Sequence, residues 1–539
     1  MDYQRIQGKT SVPVVDLFAG PGGLSEGFAA YSGHLGFDVR LSIEKDNAAH
    51  RTLELRSFFR QFALGDAPEL YYDYIRGEKG VTRQDLLDAY PEQARAAAHI
   101  AWHSELGVAP LNQVLGRIGT AVDGAQQWVL LGGPPCQAYS VIGRARMKGS
   151  ESFEGDRRHT LYQEYLKIVA AYQPTVFVME NVKGILSSRH KNSRIFQKIL
   201  SDLRDPWEGL SAEERLEIPQ PSTKHTYQIF SFTRPAQCEG ELAPEDYVIR
   251  GERHGVPQTR HRVILLGVRS DYPGPLPLPT LTEAPHRVSV REVIGDLPSV
   301  RSLVTMGRRR ISRDAEDWVA AIRNGWSESV LPQVDEENLR RQLDDAAILL
   351  EHFSDNGEPF IPGRAIPAQL SEWLSDGRLR GVIQHQARAH MPSDLQRYLY
   401  AACYAHCSGA SPKIRDFPEA LWPNHANVRA KDGGTDFEDR FRVQLWDKPS
   451  STITSHIAKD GHYYIHPDPA QCRSLTVREA ARLQTFPDNY FFDGNRTNAF
   501  GQIGNAVPPY LAFQLADVVA EIIDIWSAMA VPTQAVAAR

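Results

Sequence analysis

The strongest constraint on this chain is the alternation, in its first half, of short apolar runs with amphipathic stretches of helix length. Five such runs, each ending near a glycine, an acidic residue or a proline, lie at residues 12–18, 39–43, 128–131, 175–179 and 263–268. This alternation is typical of an α/β fold. Open α/β sheets bind ligands beyond the carboxyl ends of their strands, so the residues that follow each run are the functional candidates.

Composition and charge exclude several other classes of protein. The chain has 539 residues, 42% of them hydrophobic, and 60 Lys and Arg against 66 Asp and Glu, a net charge of -6. These values exclude a disordered or fibrous chain and a protein coated in positive charge, although a local basic groove stays possible. Five cysteines favour a reducing compartment over a disulfide framework. With no long apolar span or signal peptide, we expect a soluble, cytoplasmic protein that does not bind membranes.

The proline-rich stretch DYPGPLPLPTLTEAPHR, residues 271–287, predicts a connection between two domains. We predict a catalytic domain of residues 1–285, completed by residues 471–539, and a smaller second domain of residues 286–470. Within the second domain, the pattern indicates helices at 314–324, 337–353 and 392–405 and a short strand at 441–445. Helices are also predicted at 477–483 and from Pro508-Pro509 to about residue 529, because proline is favoured at a helix start.

The segment VVDLFAGPGGLSEGF predicts a strand, a Gly-rich turn and a helix. Glu44 ends the next apolar run about 20 residues later, the spacing at which such folds bind ribose hydroxyls. The turn departs from the GxGxxG pattern, so S-adenosylmethionine fits at least as well as NAD. A plain strand-turn-helix corner is the alternative interpretation.

Cys136 is the sharper candidate, since the apolar run WVLLGG leads directly to it through Pro134-Pro135. A thiolate there would be a strong nucleophile, whereas a packed structural cysteine is the alternative. Glu180 follows the run VFVM and should reach the same edge of the sheet. A carboxyl in such a crevice can share a proton with a heteroaromatic substrate.

Six segments together resemble the successive motifs of DNA (cytosine-5)-methyltransferases, in the order that the family has them. They are DLFAGPGGLSEGF, GGPPCQAYS, ENVKGIL, GVPQTRHRVILLG, SLTVREAARLQTFPD and QIGNAVPP. The resemblance implies S-adenosylmethionine as the methyl donor. It also implies a Rossmann-like catalytic domain and a smaller target-recognition domain that flank a DNA cleft.

The resemblance also implies roles for four catalytic residues. Cys136 would attack C6 of cytosine, which makes C5 nucleophilic enough to take a methyl group. Glu180 would bind the N3/N4 edge of the base, and Arg260 and Arg262 would support the base at O2 and the neighbouring backbone. The base that removes the C5 proton is left unidentified.

The cofactor-binding residues are implied in the same way. Phe18, Gly20, Gly22 and Leu24 would wall the cofactor, Glu44 would hold its ribose, and Asn505 with Val507 would approach it from QIGNAVPP. A long insertion at residues 58–102 obscures the acidic contact to the adenine amino group. Asp66 and Glu105 compete for that role, and we favour Glu105 because it is nearer the next motif.

Two basic segments are candidates for DNA contact. The polar loop that follows Cys136 is predicted to be a mobile lid that contacts phosphates, and its arginines are Arg144, Arg146, Arg157 and Arg158. A second cluster in the smaller domain consists of Arg308, Arg309, Arg310 and Arg313. For both, a solvated surface is the alternative interpretation.

No metal site is predicted. Cys403, His406 and Cys407 match no closed zinc pattern and fit an amphipathic helix in which the small cysteines pack. His456, His462 and His466 precede the REAARLQ motif and are expected to line the cleft or its supporting sheet.

We therefore predict an enzyme that methylates cytosine in specific sites of double-stranded DNA and acts as a monomer, with a restriction or other defence protein as a possible partner. The RNA-methylating branch of the same family is the first alternative, and the roughly 200 residues between QTRHR and REAARLQ disfavour it, because groove reading needs extra surface. A catalytically silent DNA-binding subunit is the second alternative. An NAD-dependent dehydrogenase is the third, and the recognised DNA sequence is not predicted.

Overall fold

The structure is a computed structural model that describes residues 11–63, 65–135, 160–187, 189–190, 193–307, 310–350, 355–423 and 438–530. The strands, numbered in chain order, are β1 (Ser11–Leu17), β2 (Gly36–Glu44), β3 (Ala101–His103), β4 (Val129–Gly132), β5 (Val176–Val182), β6 (Arg189–His190), β7 (Ser193–Arg194), β8 (Tyr227–Ser231), β9 (Val248–Arg250), β10 (Gln258–Thr259), β11 (His261–Arg269), β12 (Leu303–Met306), β13 (Arg310–Ser312), β14 (Phe360–Pro362), β15 (Gly381–Ile383), β16 (Ala389–His390) and β17 (Ser450–Ser451).

The α-helices, numbered in the same way, are α1 (Gly23–Ala30), α2 (Asn47–Phe59), α3 (Glu69–Arg76), α4 (Arg83–Ala89), α5 (Pro91–Ile100), α6 (Leu111–Val122), α7 (Thr160–Tyr172), α8 (Ile195–Arg204), α9 (Ala212–Leu216), α10 (Val290–Ile294), α11 (Ala315–Arg323), α12 (Glu337–Leu349), α13 (Ser371–Leu374), α14 (Pro392–Ser408), α15 (Val477–Leu483), α16 (Arg496–Asn505) and α17 (Pro509–Ala530).

The central sheet has eight strands in the order β3-β2-β1-β4-β5-β11-β8, and β9 also pairs with β11. The first five strands of this order run parallel, whereas β11 is antiparallel to β5, β8 and β9. An antiparallel strand between β5 and β8 distinguishes this sheet from the all-parallel dinucleotide-binding order. The predicted Rossmann-like methyltransferase sheet is confirmed, and the five apolar runs form β1, β2, β4, β5 and β11.

Each face of the sheet has its own hydrophobic core, because the central strands are buried on both sides. Val15 and Leu17 of β1 face a core built with α6, α7 and α8. Val12 and Val14 face the opposite core, which α1 and α17 cover. These two layers hold the carboxyl ends of β1 and β4 side by side.

The last helix, α17, belongs to the second of these cores. The stretch Arg496–Met529 is long and apolar enough to cross a membrane by length and composition, but 72% of its most apolar window is buried in the protein. A Cβ on Gly27 of α1 would lie 2.3 Å from the backbone nitrogen of Phe513, so α1 and α17 pack backbone to backbone. The burial is that of a core helix in a folded domain.

The region between β11 and α15 has a core of its own, formed by α11, α12 and α14. A separate cluster joins this region to α15 and α16 and includes Val288, Trp373, Ile453 and Phe486. The three helices predicted in the region are present. The strand predicted at residues 441–445 is reduced to one isolated bridge between Val443 and Ile465.

The histidines of the SHIAKDGHYYIHPD segment contribute to packing at this junction. His462 is buried and bonds through Nδ1 to the hydroxyl of Tyr398 at 2.9 Å. His466 is buried 3.5 Å from the Glu479 carboxylate, and burial lowers its pKa to about 4. His462 therefore supports packing within the region, and His466 supports the packing between the region and α15.

The long insertion after β2 folds into α3, α4 and α5. Its aromatic residues Tyr71 and Tyr72 pack with Phe58 of α2 and with Leu379 and Ile383, which lie about 300 residues later in the chain. The insertion is therefore part of the packed body and joins β2 to the second region.

Candidate active site

The Gly-rich turn lies at the point where the connections from β1 and β4 lead to opposite halves of the sheet, which is where open α/β sheets bind ligands. Phe18, Gly20 and Gly22 all have positive φ, at 57°, 58° and 96°. A Cβ on Gly20 would meet nothing within 4 Å among the described residues, so this side of the turn is open. The turn is therefore shaped to approach a ligand with its backbone.

Glu44 ends β2, as the sequence predicts, and its side chain accepts a hydrogen bond from this turn. Its Oε2 accepts the Gly20 N–H at 2.8 Å, and its Oε1 accepts the Asp46 N–H at 2.7 Å. Each carboxylate oxygen can accept more than one hydrogen bond, so the orientation is fixed while acceptor capacity remains.

Asp16 is a further candidate residue of this site, beyond those that the sequence predicts. It lies in β1 directly before the turn, is 1% exposed, and neither carboxylate oxygen has a hydrogen-bond partner of ordinary geometry among the described residues. Burial raises the pKa of Asp16 to about 7; the nearby Ser25 opposes the shift, and Glu44 adds to it. A buried carboxyl left without a partner is costly, which points to a ligand group that completes it.

The segment QIGNAVPP closes this side of the site. A Cβ on Gly23 would lie 2.3 Å from the carbonyl oxygen of Val507, so the segment lies directly on the first residue of α1. Asn505, the last residue of α16, is exposed, and Val507 is buried. The tight contact brings Val507 close to the Gly-rich turn, and the predicted approach of Asn505 and Val507 to the cofactor stays a prediction.

The remaining candidates for the cofactor site differ in burial and in their neighbours. Leu24 is buried in the core under α1, which leaves its backbone for a ligand. Phe18 is half-buried against the opposite core. Glu105 follows β3 and pairs with Lys45 at 3.1 Å, one strand from Glu44. Asp66 lies in the loop between α2 and α3, and both carboxyl groups are exposed, so the preference for Glu105 stays a prediction.

Glu180 lies within β5 and forms an ion pair with Arg262 of β11. The Arg262 Nε atom is 2.8 Å from Glu180 Oε1, and the two side chains are 14% and 15% exposed. Burial lowers the pKa of Arg262, and the Glu180 carboxylate opposes that shift. The pair holds a carboxylate and a guanidinium side by side at the edge of the sheet.

The chain leading to Cys136 runs past this pair. A Cβ on Gly133 would lie 3.1 Å from Glu180 Oε2, so a larger residue there would press on the carboxylate. The Asn181 amide donates to the carbonyl of Pro134 at 3.4 Å, which ties the segment after β4 to β5. Cys136 and the predicted lid arginines Arg144, Arg146, Arg157 and Arg158 lie outside the described residues, as do Arg308 and Arg309.

Arg260 is placed differently from Arg262. It is 2% exposed, and its guanidinium donates to the carbonyls of Ile453 at 2.7 Å, Gly504 at 3.2 Å and Ala506 at 2.8 Å. Burial, followed by the charge of Arg262, lowers its pKa well below the usual range. Of the two arginines, Arg262 is the one that pairs with Glu180.

A cavity lies between α1 and α2. It has a volume of about 760 Å³, and Phe18, Glu44, Asn505 and Val507 are absent from its lining. Glu26 crosses it to Arg56, with Glu26 Oε1 2.6 Å from Arg56 Nη2. The cavity thus reaches the Gly-rich turn at Gly22 and otherwise extends away from it between α1 and α2.

Comparison with known proteins decides the family. Residues 120–206 and 246–521 match the C-5 cytosine-specific DNA methylase family. The type II methyltransferase M.Bpa9945I of Bacillus paralicheniformis is 31% identical over 95% of this chain and 99% of its own length. The chain belongs to this family. It is a DNA (cytosine-5)-methyltransferase.

Two further relatives are less similar. The type II methyltransferase M.AgeI of Thalassovita gelatinovora is 26% identical over 94% of this chain and 98% of its own length. The DNA (cytosine-5-)-methyltransferase M.ApeKI of Aeropyrum pernix is 25% identical over 75% of this chain and 83% of its own length.

The family match covers part of this methyltransferase's site and omits the rest. It includes Glu180, Arg262 and the Asn505–Val507 segment, whereas Asp16 and Glu44 precede it. The insertion of α3 to α5 also precedes the matched residues.

The described residues fit S-adenosylmethionine, the methyl donor that the family implies. Two carboxylates, Asp16 and Glu44, flank the Gly-rich turn, and the unpartnered Asp16 suits the α-ammonium group of a methionine moiety. Glu44 suits ribose hydroxyls. The pyrophosphate of a dinucleotide would meet Asp16 as a like charge, which disfavours NAD.

Proposed function

We propose that this DNA (cytosine-5)-methyltransferase uses S-adenosylmethionine to methylate C5 of a cytosine flipped out of a specific double-stranded DNA sequence, through a covalent bond between Cys136 and C6. The observation that carries the proposal is the Glu180–Arg262 ion pair, because the chain leading to Cys136 passes directly beside it. A carboxylate and a guanidinium at one sheet edge, beside the segment that leads to a cysteine, match the chemistry that cytosine requires.

The cytosine ring needs activation because its C5 is a poor carbon nucleophile. The Cys136 thiolate adds to C6, and the electron pair of the C5–C6 bond becomes available at C5. S-adenosylmethionine, when bound, would supply the methyl group that C5 takes up and would be left as S-adenosylhomocysteine. Loss of the C5 proton to a base and departure of the Cys136 sulfur then restore the aromatic ring.

Glu180 and Arg262 stabilise the base while this addition occurs. Glu180 holds the N3/N4 edge and favours protonation at N3 as negative charge develops on the ring. Arg262, already beside Glu180, places a positive charge at the O2 side. Inside a duplex, C5 and C6 of the cytosine are stacked, and neither Glu180 nor Arg262 can reach the base. The base must therefore be extruded first.

The proposed cofactor site is built around the Gly-rich turn. Phe18, Gly20, Gly22 and the backbone of Leu24 wall it, and Asn505 with Val507 closes it. Glu44 binds the ribose, Glu105 approaches the adenine, and Asp16 accepts from the α-ammonium group. The bond from Gly20 to Glu44 supports the arrangement because it fixes two of these residues against each other.

The proposed biological role is sequence-specific protection of DNA in a restriction-modification system. Two of the relatives compared above are named type II methyltransferases and align with nearly all of this chain. The region around α11, α12 and α14 would read the DNA, since base readout needs surface beyond the catalytic motifs. A DNA substrate also accords with the cytoplasmic location that the sequence predicts.

The test is covalent trapping with a duplex that carries 5-fluorocytosine, which blocks loss of the C5 substituent. Intact-mass measurement should find the DNA bonded to the wild type and to Cys238→Ala, a control at an exposed free cysteine. Cys136→Ala should form no adduct. An adduct with Cys136→Ala would show that another residue is the nucleophile, and no adduct with the wild type would overturn the covalent mechanism.

A further inference from the structure

We propose that Arg260 is a positioning residue that couples the cofactor-side segment 504–507 to the catalytic strand β11, and that it contacts neither the base nor the cofactor. This inference rests on the proposed function. Its basis is the set of acceptors that the buried guanidinium uses, which are backbone carbonyls from two distant parts of the chain.

The three carbonyls belong to segments that meet only in the tertiary structure. Ile453 lies just after β17, and Gly504 and Ala506 lie at the end of α16. A Cβ on Gly504 would lie 2.1 Å from the backbone nitrogen of Ser455, so the two segments are in direct backbone contact. Arg260 therefore bonds to both sides of a joint between segments.

The residues before Arg260 reinforce the same joint. β10 pairs in parallel with β17, and the Thr259 hydroxyl donates to the Ser450 carbonyl at 3.1 Å. The Gln258 side chain, fully buried, accepts the Ile453 N–H at 3.0 Å and donates to the Leu483 carbonyl at 2.9 Å. The whole of residues 258–260 thus serves as a tie between the sheet and the later segments.

The tie reaches the cofactor site through Ala506. Its carbonyl accepts from Arg260 at 2.8 Å and from the Gln484 amide at 2.6 Å. Asn505 and Val507 flank this carbonyl, and Val507 lies on the first residue of α1. Loss of the Arg260 donors would free the segment that closes the cofactor site, while Arg262 would keep its ion pair with Glu180.

The experiment compares Arg260→Lys with Arg262→Lys in the full chain. Isothermal calorimetry measures binding of S-adenosylhomocysteine, and steady-state kinetics separate kcat from the KM for S-adenosylmethionine. Arg260→Lys should weaken binding and raise that KM by about tenfold with kcat within about threefold, because a lysine cannot reach both segments. Arg262→Lys should lower kcat by at least about 100-fold with binding within about twofold.

Arg301→Lys is the matched control, because Arg301 is also a buried arginine that donates to backbone carbonyls, those of Ser302 and Arg313. It should lower the thermal unfolding midpoint without changing the affinity for S-adenosylhomocysteine. A comparable loss of affinity in Arg301→Lys would overturn the inference, since general loosening would then explain the effect. A loss of kcat alone in Arg260→Lys would also overturn it and place Arg260 at the base.

Gln484→Glu provides a second test, which does not require the Arg260→Lys variant to fold. It puts a carboxylate oxygen where an amide now donates to Ala506, so it should also weaken binding of S-adenosylhomocysteine. Unchanged binding in this variant would contradict the coupling. Wild-type protein that binds the ligand and forms the 5-fluorocytosine adduct confirms that any such failure concerns the inference and leaves the proposed function intact.

Discussion

At the scale of single residues, the two carboxylates beside the Gly-rich turn are held in different ways. Glu44 accepts two backbone N–H groups, whereas Asp16 is buried without a hydrogen-bond partner of ordinary geometry in the described part of the chain. Beside this turn the protein therefore fixes the Glu44 carboxylate with two hydrogen bonds, whereas it stabilises the charge of Asp16 far less than that of Glu44. Asp16 is the residue at which a ligand can contribute most.

Asp16 predicts a stability that falls as the pH rises. The folded protein keeps this proton up to about pH 7, whereas the unfolded chain loses it near the ordinary aspartate pKa of 3.8. Between those values the folded state binds more protons, so stability declines with rising pH. In urea unfolding, the free energy of unfolding of Asp16→Asn should rise by about 2–3 kcal/mol relative to that of the wild type between pH 5 and pH 8. Parallel pH curves for the two proteins would contradict a buried, unpartnered Asp16.

Binding of S-adenosylhomocysteine should show the opposite pH dependence. If the α-ammonium group pairs with the Asp16 carboxylate, ionisation of Asp16 favours binding, and wild-type affinity should rise about tenfold between pH 6 and pH 8. Asp16→Asn should bind more weakly with a flat profile, whereas Asp38→Asn, at a half-exposed position on β2, should behave as wild type. A flat wild-type profile in calorimetry would remove Asp16 from the cofactor site.

Some of these residue roles could not be read from the sequence. Arg260 and Arg262 are the same residue type two positions apart, and only the carbonyls of Ile453, Gly504 and Ala506 separate their roles. Asp16 interrupts an apolar run, and that interruption was the available signal. Glu44 was predictable because strand ends and spacing place it beside the turn.

At the scale of elements, the insertion of α3, α4 and α5 links β2 to the second region. The Tyr72 hydroxyl donates to Asp376 Oδ2 at 2.8 Å, and the same oxygen accepts from the Asn489 amide at 2.6 Å. The Arg378 guanidinium lies 4.7 Å from the centre of the Tyr72 ring. One carboxylate therefore joins the insertion, the second region and the segment before α16.

Tyr72→Phe should weaken this link while the packing of the aromatic ring is kept. Removing the hydroxyl leaves the partly buried Asp376 carboxylate short of one donor, which should lower the free energy of unfolding by about 1 kcal/mol. Tyr90→Phe is the control, because Tyr90 packs on Phe58 and Phe62 in the same cluster. Chemical denaturation measures both, and an equal effect of the two substitutions would argue against a specific tie.

The elements themselves were predictable to the extent that local pattern decides them. The five apolar runs became strands because burial on both faces requires continuous apolar sequence, and helix 477–483 was predicted at its observed bounds. The strand at 441–445 failed because pairing depends on a partner strand, and Val443 finds a single bridge. The packing of Tyr72 against residues some 300 positions away has no local signal.

At the scale of the whole molecule, a net charge of -6 requires that DNA binding depend on local clusters of arginine. The double substitution Arg144→Ala/Arg146→Ala should weaken binding to all duplexes and reduce the slope of log K against log salt by about 2. Arg215→Ala, at a surface pair with Glu208, should change neither. Fluorescence anisotropy over a salt series measures the slope, and an unchanged slope would remove these arginines from the DNA interface.

The most direct test of the central claim is bisulfite or nanopore sequencing of DNA from cells that express this chain in a host without cytosine-5 methylation. We predict 5-methylcytosine at one recognition sequence throughout the genome with the wild type, and none with Cys136→Ala. Absence of 5-methylcytosine with folded wild-type protein, or methylation that persists with Cys136→Ala, would contradict it.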